Sequence, residues 1–211
     1  WARGSRFMYS CRNYVLLGHL VERLAGMDLG SFCERHVFGP CGMSETGFGP
    51  LAGDLERVVP TAVAPGTISD EQARHATQPV GNAGLFSTAS DLARFCRMIL
   101  SGGMVGDRRA FGQNALHWLL SEQSPPGLRR RSFGWDMGSV AESPCRPASM
   151  SAAAVGHSGW TGQSVWIDPE LGLFTIVLTN RTHRPGKGDN YLDSKRFRAS
   201  AADLMCQDLV G

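Results

Sequence analysis

A short polar segment, His157-Ser158-Gly159, places an imidazole, a hydroxyl and a residue without a side chain next to one another. An imidazole can exchange a proton near neutral pH, and a hydroxyl can donate or accept a hydrogen bond. Glycine lets a ligand approach the backbone closely, so all three groups can face one cleft. Taken alone, the segment also fits an ordinary entry into a strand.

The segment leads into the clearest secondary-structure signal of the chain, a β-hairpin. Residues 164–167 and 173–178 are apolar runs with a period of two, and the Asp-Pro-Glu-Leu-Gly sequence at 168–172 predicts the turn between them. The second run should place Phe174, Ile176 and Leu178 on one face and Thr175, Val177 and Thr179 on the other. At least one face must therefore be covered by apolar groups.

Helices are predicted around this hairpin from apolar periodicity and capping residues, at residues 11–25, 29–37, 88–100, 113–120 and 194–209. The first should begin after the Ser10 cap and bury one face, which contains Tyr14, Leu17, Leu20, Val21 and Leu24. The last should pack on the sheet through Phe197, Ala201, Leu204, Met205 and Leu209. Residues 132–137 predict a strand, and residues 47–78 predict a long irregular connection.

Composition excludes several classes of protein. The formal net charge is +2, and we interpret the basic clusters at 129–131 and 181–198 as solvated loops, so no nucleic-acid partner is expected. No apolar run reaches the ~18 residues of a membrane span. The six cysteines and six histidines lack the spacing of a metal site, so neither a metal nor a cofactor is predicted. Disulfides, redox compartment and oligomeric state stay open.

Four segments, at residues 9–18, 42–48, 84–95 and 156–162, occur in the order typical of serine β-lactamases and penicillin-binding proteins. The chain resembles that family, and most closely its class C β-lactamase and esterase branch. The resemblance implies an α/β (α+β) fold with a mainly antiparallel sheet flanked by helices. It further implies that residues 1–211 are the C-terminal portion of one domain, with a helical lobe at about 8–130, a sheet and terminal helix at about 131–211, and an N-terminal part missing.

The resemblance also assigns candidate catalytic residues. Tyr9 takes the place of the tyrosine in the family's Y-x-N motif, and His157-Ser158-Gly159 takes that of K-T-G. A tyrosine with a pKa near ~10 can accept a proton from a serine nucleophile only where positive charge favours the phenolate. Ser158 would bind a substrate carboxylate or carbonyl, and the backbone N–H of Trp160 would donate to the oxyanion.

Cys11, Gly159 and the Trp160 indole would line the substrate site. Each assignment has a plain structural alternative: Tyr9 as a hydrophobic-staple residue before a helix, His157 as a strand-entry histidine, and Trp160 as a core residue.

Three departures from the family pattern bear on activity. No serine of the chain has a lysine three residues later, so the nucleophile of S-x-x-K should lie in a preceding segment, and the fragment alone should be inactive. Cys11 stands where the family has asparagine, and the loss of that amide favours a peptidase or an esterase over a β-lactamase. His157 replaces lysine, so activity should depend on pH between about 5 and 8.

The expected function is that of a serine hydrolase that forms an acyl-enzyme with an amide or ester. A D-Ala-D-Ala-type peptide of peptidoglycan, a β-lactam and a small ester are the substrate classes implied. The alternative is a non-catalytic relative of the same fold that binds such ligands or another protein. Family members are commonly exported, so the resemblance favours a periplasmic or extracellular location, which the sequence itself does not fix.

Overall fold

The computed structural model describes residues 2, 4–53, 55–183 and 190–210, with the side chain of residue 210 excluded. They form two compact units: a helical unit, Met8–Phe95, and a sheet unit, which combines Trp1–Phe7 with Cys96–Gly211. Helices and small antiparallel sheets make up both units, which confirms the α+β class implied by the resemblance.

The helical unit begins with helix α1, Cys11–Ala25, whose two ends agree with the prediction. Ser10 precedes it in an extended conformation, and Gly26 ends it with φ of 67°, a left-handed conformation suited to glycine. The predicted buried face is wrong, because Leu17 and Leu20 are half exposed and Leu24 is 78% exposed. Helix α1 instead packs closely through Gly18, where a Cβ atom would lie 3.1 Å from the backbone nitrogen of Gly81.

The second predicted helix is longer than expected. Helix α2, Leu29–Cys33, continues through a π-helical turn, Glu34–Phe38, into a last turn, α3, Gly39–Cys41. The helical turns run past the predicted end at residue 37, because Pro40 lies in the first turn after the π segment, where a missing N–H costs little. The irregular connection of residues 47–78 is confirmed apart from strand β1, Gly47–Phe48, and helix α4, Glu71–His75.

The helical unit closes with strand β2, Leu85–Phe86, which pairs antiparallel with β1, and with helix α5, Ala89–Leu100, which runs on into the sheet unit. Thr88 caps this helix, since its hydroxyl accepts the N–H of Asp91 at 3.2 Å. The sheet unit continues with a short hairpin of β3, Met104–Val105, and β4, Arg108–Arg109, and with helix α6, Gln113–Leu120, at its predicted bounds.

The main sheet has three antiparallel strands in the order β5-β6-β7: Val155–Ser158, Gln163–Asp168 and Leu173–Leu178. The predicted hairpin is β6 and β7. Its turn is fixed by the Asp168 carboxylate, which accepts the N–H groups of Glu170 and Leu171, both at 3.0 Å. The predicted strand at 132–137 is wrong: Asp136 alone pairs with β5, through an isolated bridge to Gly156, because the chain turns back between Arg131 and Asp136.

Helix α7, Tyr191–Val210, packs on the sheet through a face other than the predicted one. Its buried residues are Arg198, Ala199, Ala202 and Cys206, whereas Phe197 and Leu204 are exposed and Leu209 is 71% exposed. The two alanines allow a close approach to the sheet, and Cys206 reaches a core cluster that contains Met150, Ala154, Trp166 and Leu173.

Residues 129–131 lie outside the helices and strands, but their arginine side chains are paired and only partly solvated. Arg129 pairs with the Asp136 carboxylate, and Arg130 donates to Glu122 at 2.8 Å. Arg131 donates to the carbonyl of Gly134 at 3.3 Å. In the described part of the chain, the helices are too short or too polar to span a lipid bilayer.

Candidate active site

Strand β5 presents His157 and Ser158 in a fixed register, opposite Val165 and Ser164 of β6. The strand is held from its other side by Asp136, whose N–H donates to the Gly156 carbonyl at 2.7 Å and whose carbonyl accepts the Gly156 N–H at 3.0 Å. Gly156 has no room for a side chain, since a Cβ atom there would lie 2.2 Å from the Trp166 ring. The position of His157 is therefore set by backbone contacts on both sides.

The surroundings of His157 keep its imidazole neutral at pH 7. Burial lowers its pKa below the usual 6.5, and the positive charge of Arg131 lowers it further, with a smaller contribution from Lys195. The Asp136 carboxylate acts in the opposite direction. Positive charge beside β5 therefore comes from Arg131 and Lys195 and not from the histidine.

Asp136 supplies the negative charge near His157. Burial raises the pKa of its carboxyl, but hydrogen bonds from the Ser143 hydroxyl at 2.6 Å and the Gly138 N–H at 2.9 Å, together with Arg129, lower it on balance. The carboxylate is thus ionised at neutral pH. Nothing in the linear sequence signalled that Arg131, Asp136 and Lys195 would surround His157, because tertiary contacts bring them there.

The turn after β5 is tightly held. The N–H of Gly159 donates to the Gln163 carbonyl at 2.8 Å, and the N–H of Gly162 donates to the Gly159 carbonyl at 3.2 Å. A Cβ atom at Gly159 would lie 2.8 Å from the Gln163 side-chain oxygen, and Gly162 has φ of 123°. The backbone N–H of Thr179 further ties Gly162 to the end of β7 at 3.1 Å.

Trp160 lies at the tip of this turn and is 60% exposed, which rules out the core alternative. Its indole lies against the Arg181 guanidinium, 4.7 Å from the ring centroid, and Arg181 Nε donates to the Trp160 carbonyl at 2.9 Å. Within the described residues, the N–H of Trp160 has no backbone acceptor. A donor in a rigid turn is therefore available to a ligand.

Tyr9 and Cys11 belong to the helical unit, at the start of α1. The Tyr9 and Tyr14 rings are 6.1 Å apart, which is the contact expected of a hydrophobic staple across a helix start. Tyr9 nevertheless stays 50% exposed, and Cys11 is exposed as well. The Tyr9 ring therefore has a structural role, and a test of catalysis by its hydroxyl must leave the ring in place.

A buried carboxylate joins the other two segments that carry the resemblance. Asp91 is fully buried and accepts the Glu45 N–H at 2.8 Å, the Thr46 hydroxyl at 2.9 Å and Arg94 at 3.0 Å. Arg94 also donates to the Gly42 carbonyl at 2.6 Å. Residues 42–48 and 84–95 thus form a structural clamp.

The chain matches the family model described as Beta-lactamase over residues 1–196. It belongs to the beta-lactamase family. This confirms the resemblance to serine β-lactamases and penicillin-binding proteins drawn from the four segments. Among the described residues, no group of His, Cys, Asp or Glu side chains is arranged to hold a metal ion.

Relatives and solved structures agree with this membership. An Escherichia coli K12 protein named "Putative D-alanyl-D-alanine carboxypeptidase" is 29% identical over 207 positions, which cover 86% of this chain and 46% of the relative. The chain thus spans about half the length of the curated relatives it matches. A Mycobacterium bovis β-lactamase has a TM-score of 0.65 at 24% identity, covering 96% of this chain and 65% of that one. A penicillin-binding protein homologue from Caulobacter crescentus has a TM-score of 0.63 at 20% identity, with coverages of 95% and 60%.

Proposed function

We propose that the protein containing this chain is a serine hydrolase that forms an acyl-enzyme with an amide or ester substrate. The observation that carries the proposal is the Trp160 N–H, held in a rigid turn directly after Ser158 and left without a backbone acceptor in the described chain. Such a donor is suited to an oxyanion, because it needs no reorganisation as negative charge develops. Membership of the beta-lactamase family supplies the rest of the assignment.

The nucleophile is a serine of an S-x-x-K motif outside residues 1–211. Tyr9 removes its proton, and the lysine of that motif favours the phenolate. The nucleophile's oxygen then bonds to the carbonyl carbon, and the Trp160 N–H stabilises the resulting oxyanion. Collapse of this intermediate expels the amine or alcohol, which takes up the proton held by Tyr9, and leaves an ester, which water hydrolyses to regenerate the serine.

Ser158 and the charges around His157 favour a substrate with a carboxylate. The Ser158 hydroxyl can donate to one carboxylate oxygen, and Arg131 and Lys195 supply the positive potential that the neutral His157 does not. Gly159 leaves room for the substrate beside the strand, where the Trp160 indole can contact it. A D-Ala-D-Ala-type peptide of peptidoglycan has such a carboxylate, and the name of the Escherichia coli relative supports that class. An enzyme that acts on peptidoglycan would work outside the cytoplasmic membrane.

The test uses the full-length protein and a fluorescent fluorophosphonate, which labels activated serines. Wild type should be labelled, and Tyr9→Phe should lower the labelling rate by about 10²-fold or more, because it removes only the hydroxyl. Tyr14→Phe is the matched control, since it changes the other ring of the staple and should label at the wild-type rate. A wild-type protein that is folded but unlabelled would instead select the non-catalytic, ligand-binding alternative.

A further inference from the structure

Two guanidinium groups are buried in the sheet unit, and their environments differ. Arg146 lies over the Trp166 ring at 5.4 Å and donates to the Ala154 carbonyl at 3.1 Å. Burial lowers its pKa, and the nearby Asp168 carboxylate, itself fully buried, opposes that shift. Arg146 therefore has a buried anion that balances its charge.

Arg198 has no such balance. Its side chain is 1% exposed, and its partners are neutral: Nε donates to the Cys145 sulfur at 3.4 Å and Nη1 to the Ser194 hydroxyl at 2.8 Å. Across residues 2, 4–53, 55–183 and 190–209, no carboxylate forms an ion pair with it, and its Nη2 has no hydrogen-bond partner. A buried charge without a counter-charge is strongly unfavourable, so a negative group is expected at Nη2.

Two further buried groups in the same layer lack partners. Trp166 and Thr175 are paired across β6 and β7, and the Trp166 Nε1 and Thr175 Oγ1 atoms make no hydrogen bond to described residues. Both side chains face α7: Trp166 contacts the Cys206 cluster, and Thr175 shares its strand face with Leu173 of that cluster. Arg198 and Cys206 lie on the same buried face of α7.

We propose that the layer between α7 and the β6–β7 hairpin binds a small monovalent anion of the halide class at Arg198 Nη2. Trp166 Nε1–H and the Thr175 hydroxyl are its further donors. All three groups can donate to an anion, and an anion, unlike a water molecule, also supplies the counter-charge that the buried Arg198 lacks. The same donors exclude a metal cation.

The anion should stabilise the fold, because it binds the folded layer and not the unfolded chain. In the full-length protein at constant ionic strength, replacing sodium gluconate by sodium chloride should raise Tm saturably by about 2 °C. Arg198→Met should abolish this chloride dependence. Arg196→Met, an exposed arginine of the same helix, should retain it.

Two further measurements keep the proposal testable if Arg198→Met fails to fold. Thr175→Val removes one donor and no charge, and it should raise the chloride concentration at half-effect by about threefold or more. Crystals soaked in sodium bromide should show an anomalous peak within hydrogen-bonding distance of Arg198 Nη2. Equal Tm in chloride and gluconate, an unchanged chloride response in the Arg198 or Thr175 variant, or absence of the bromide peak would overturn the proposal.

Discussion

The helical unit and the sheet unit hold their family segments in place by different means. In the helical unit, one buried carboxylate, Asp91, gathers a backbone N–H, a hydroxyl and a guanidinium from separate segments. In the sheet unit, β5 is held by backbone hydrogen bonds and by the close fit of Gly156 against Trp166. The first arrangement depends on one side chain and the second on the absence of one, so the helical unit should be destabilised by altering a side chain and the sheet unit by adding one.

The largest effect is expected at the Asp91 clamp. Asp91→Asn should lower the free energy of unfolding by about 3 kcal/mol, because Thr46, the Glu45 N–H and Arg94 would lose a charged acceptor. Urea unfolding of the full-length protein measures the change. Asp107→Asn, at an exposed position, should change stability by less than about 0.5 kcal/mol. Equal effects of the two substitutions would show that Asp91 is not a clamp.

A smaller effect is expected from adding one methyl group to the sheet unit. Gly156→Ala should cost about 1–3 kcal/mol, since the new Cβ would meet the Trp166 ring at 2.2 Å. Gly47→Ala, in β1 of the helical unit, has nothing within 4 Å of the added carbon and should be nearly neutral. Urea unfolding would refute the packing argument if Gly156→Ala were tolerated as well as Gly47→Ala.

The next effect is a pH dependence of stability that arises in the sheet unit. The pKa of His157 is lowered on folding, so below about 6.5 the unfolded chain binds more protons than the folded one, and stability falls as the pH drops. The Asp136 carboxyl, whose pKa is also lowered, stays ionised in this window.

Urea midpoints at about pH 7.5 and about pH 5.5 measure the contribution of His157. Wild type should lose more stability on acidification than His157→Gln does. Parallel losses in the two proteins would mean that folding leaves the imidazole pKa unchanged.

The smallest effect is expected at the exposed tip of the sheet unit. Arg181→Gln removes a guanidinium 4.7 Å from the Trp160 ring, along with its bond to the Trp160 carbonyl. The substitution should cost about 0.5–1 kcal/mol and increase the mobility of the indole, observed as lower Trp fluorescence anisotropy. A loss above about 2 kcal/mol would indicate that the turn depends on Arg181 for its fold.

Sequence patterns were sufficient to predict helix ends and hairpin turns, where a few neighbouring residues determine the structure. Caps and periodicity correctly placed the ends of α1 and α6, and the Asp168 turn correctly placed the hairpin. The predicted faces of α1 and α7 are wrong, because Gly18 and Ala202 make the close approach and the leucines predicted to make it are exposed.

Parts of the candidate site could not be read from the sequence for a related reason. The family segments singled out Ser158 and Trp160 as candidates at the entry to the hairpin, but the separate strand β5 that carries Ser158 was not predicted. Burial is the main cause of the lowered His157 pKa, and the positive charges that add to it come from Arg131 and Lys195, which are distant in the chain and carry no motif. Burial of Arg198 was equally unpredictable, because a charged residue on a helix is normally assigned to its solvent face.

The most direct test of the central claim is a double-mutant cycle between Tyr9 and Ser158, measured as kcat/KM of the full-length protein for a D-Ala-D-Ala-type peptide, which carries the carboxylate that Ser158 would bind. Tyr9→Phe and Ser158→Ala should each lower kcat/KM by about 10²-fold or more, and the double variant should be little worse than the worse single variant, because residues that act as one unit are not additive. Fold-losses that multiply, as expected of independent positions, or single variants with the wild-type kcat/KM, would contradict a shared role.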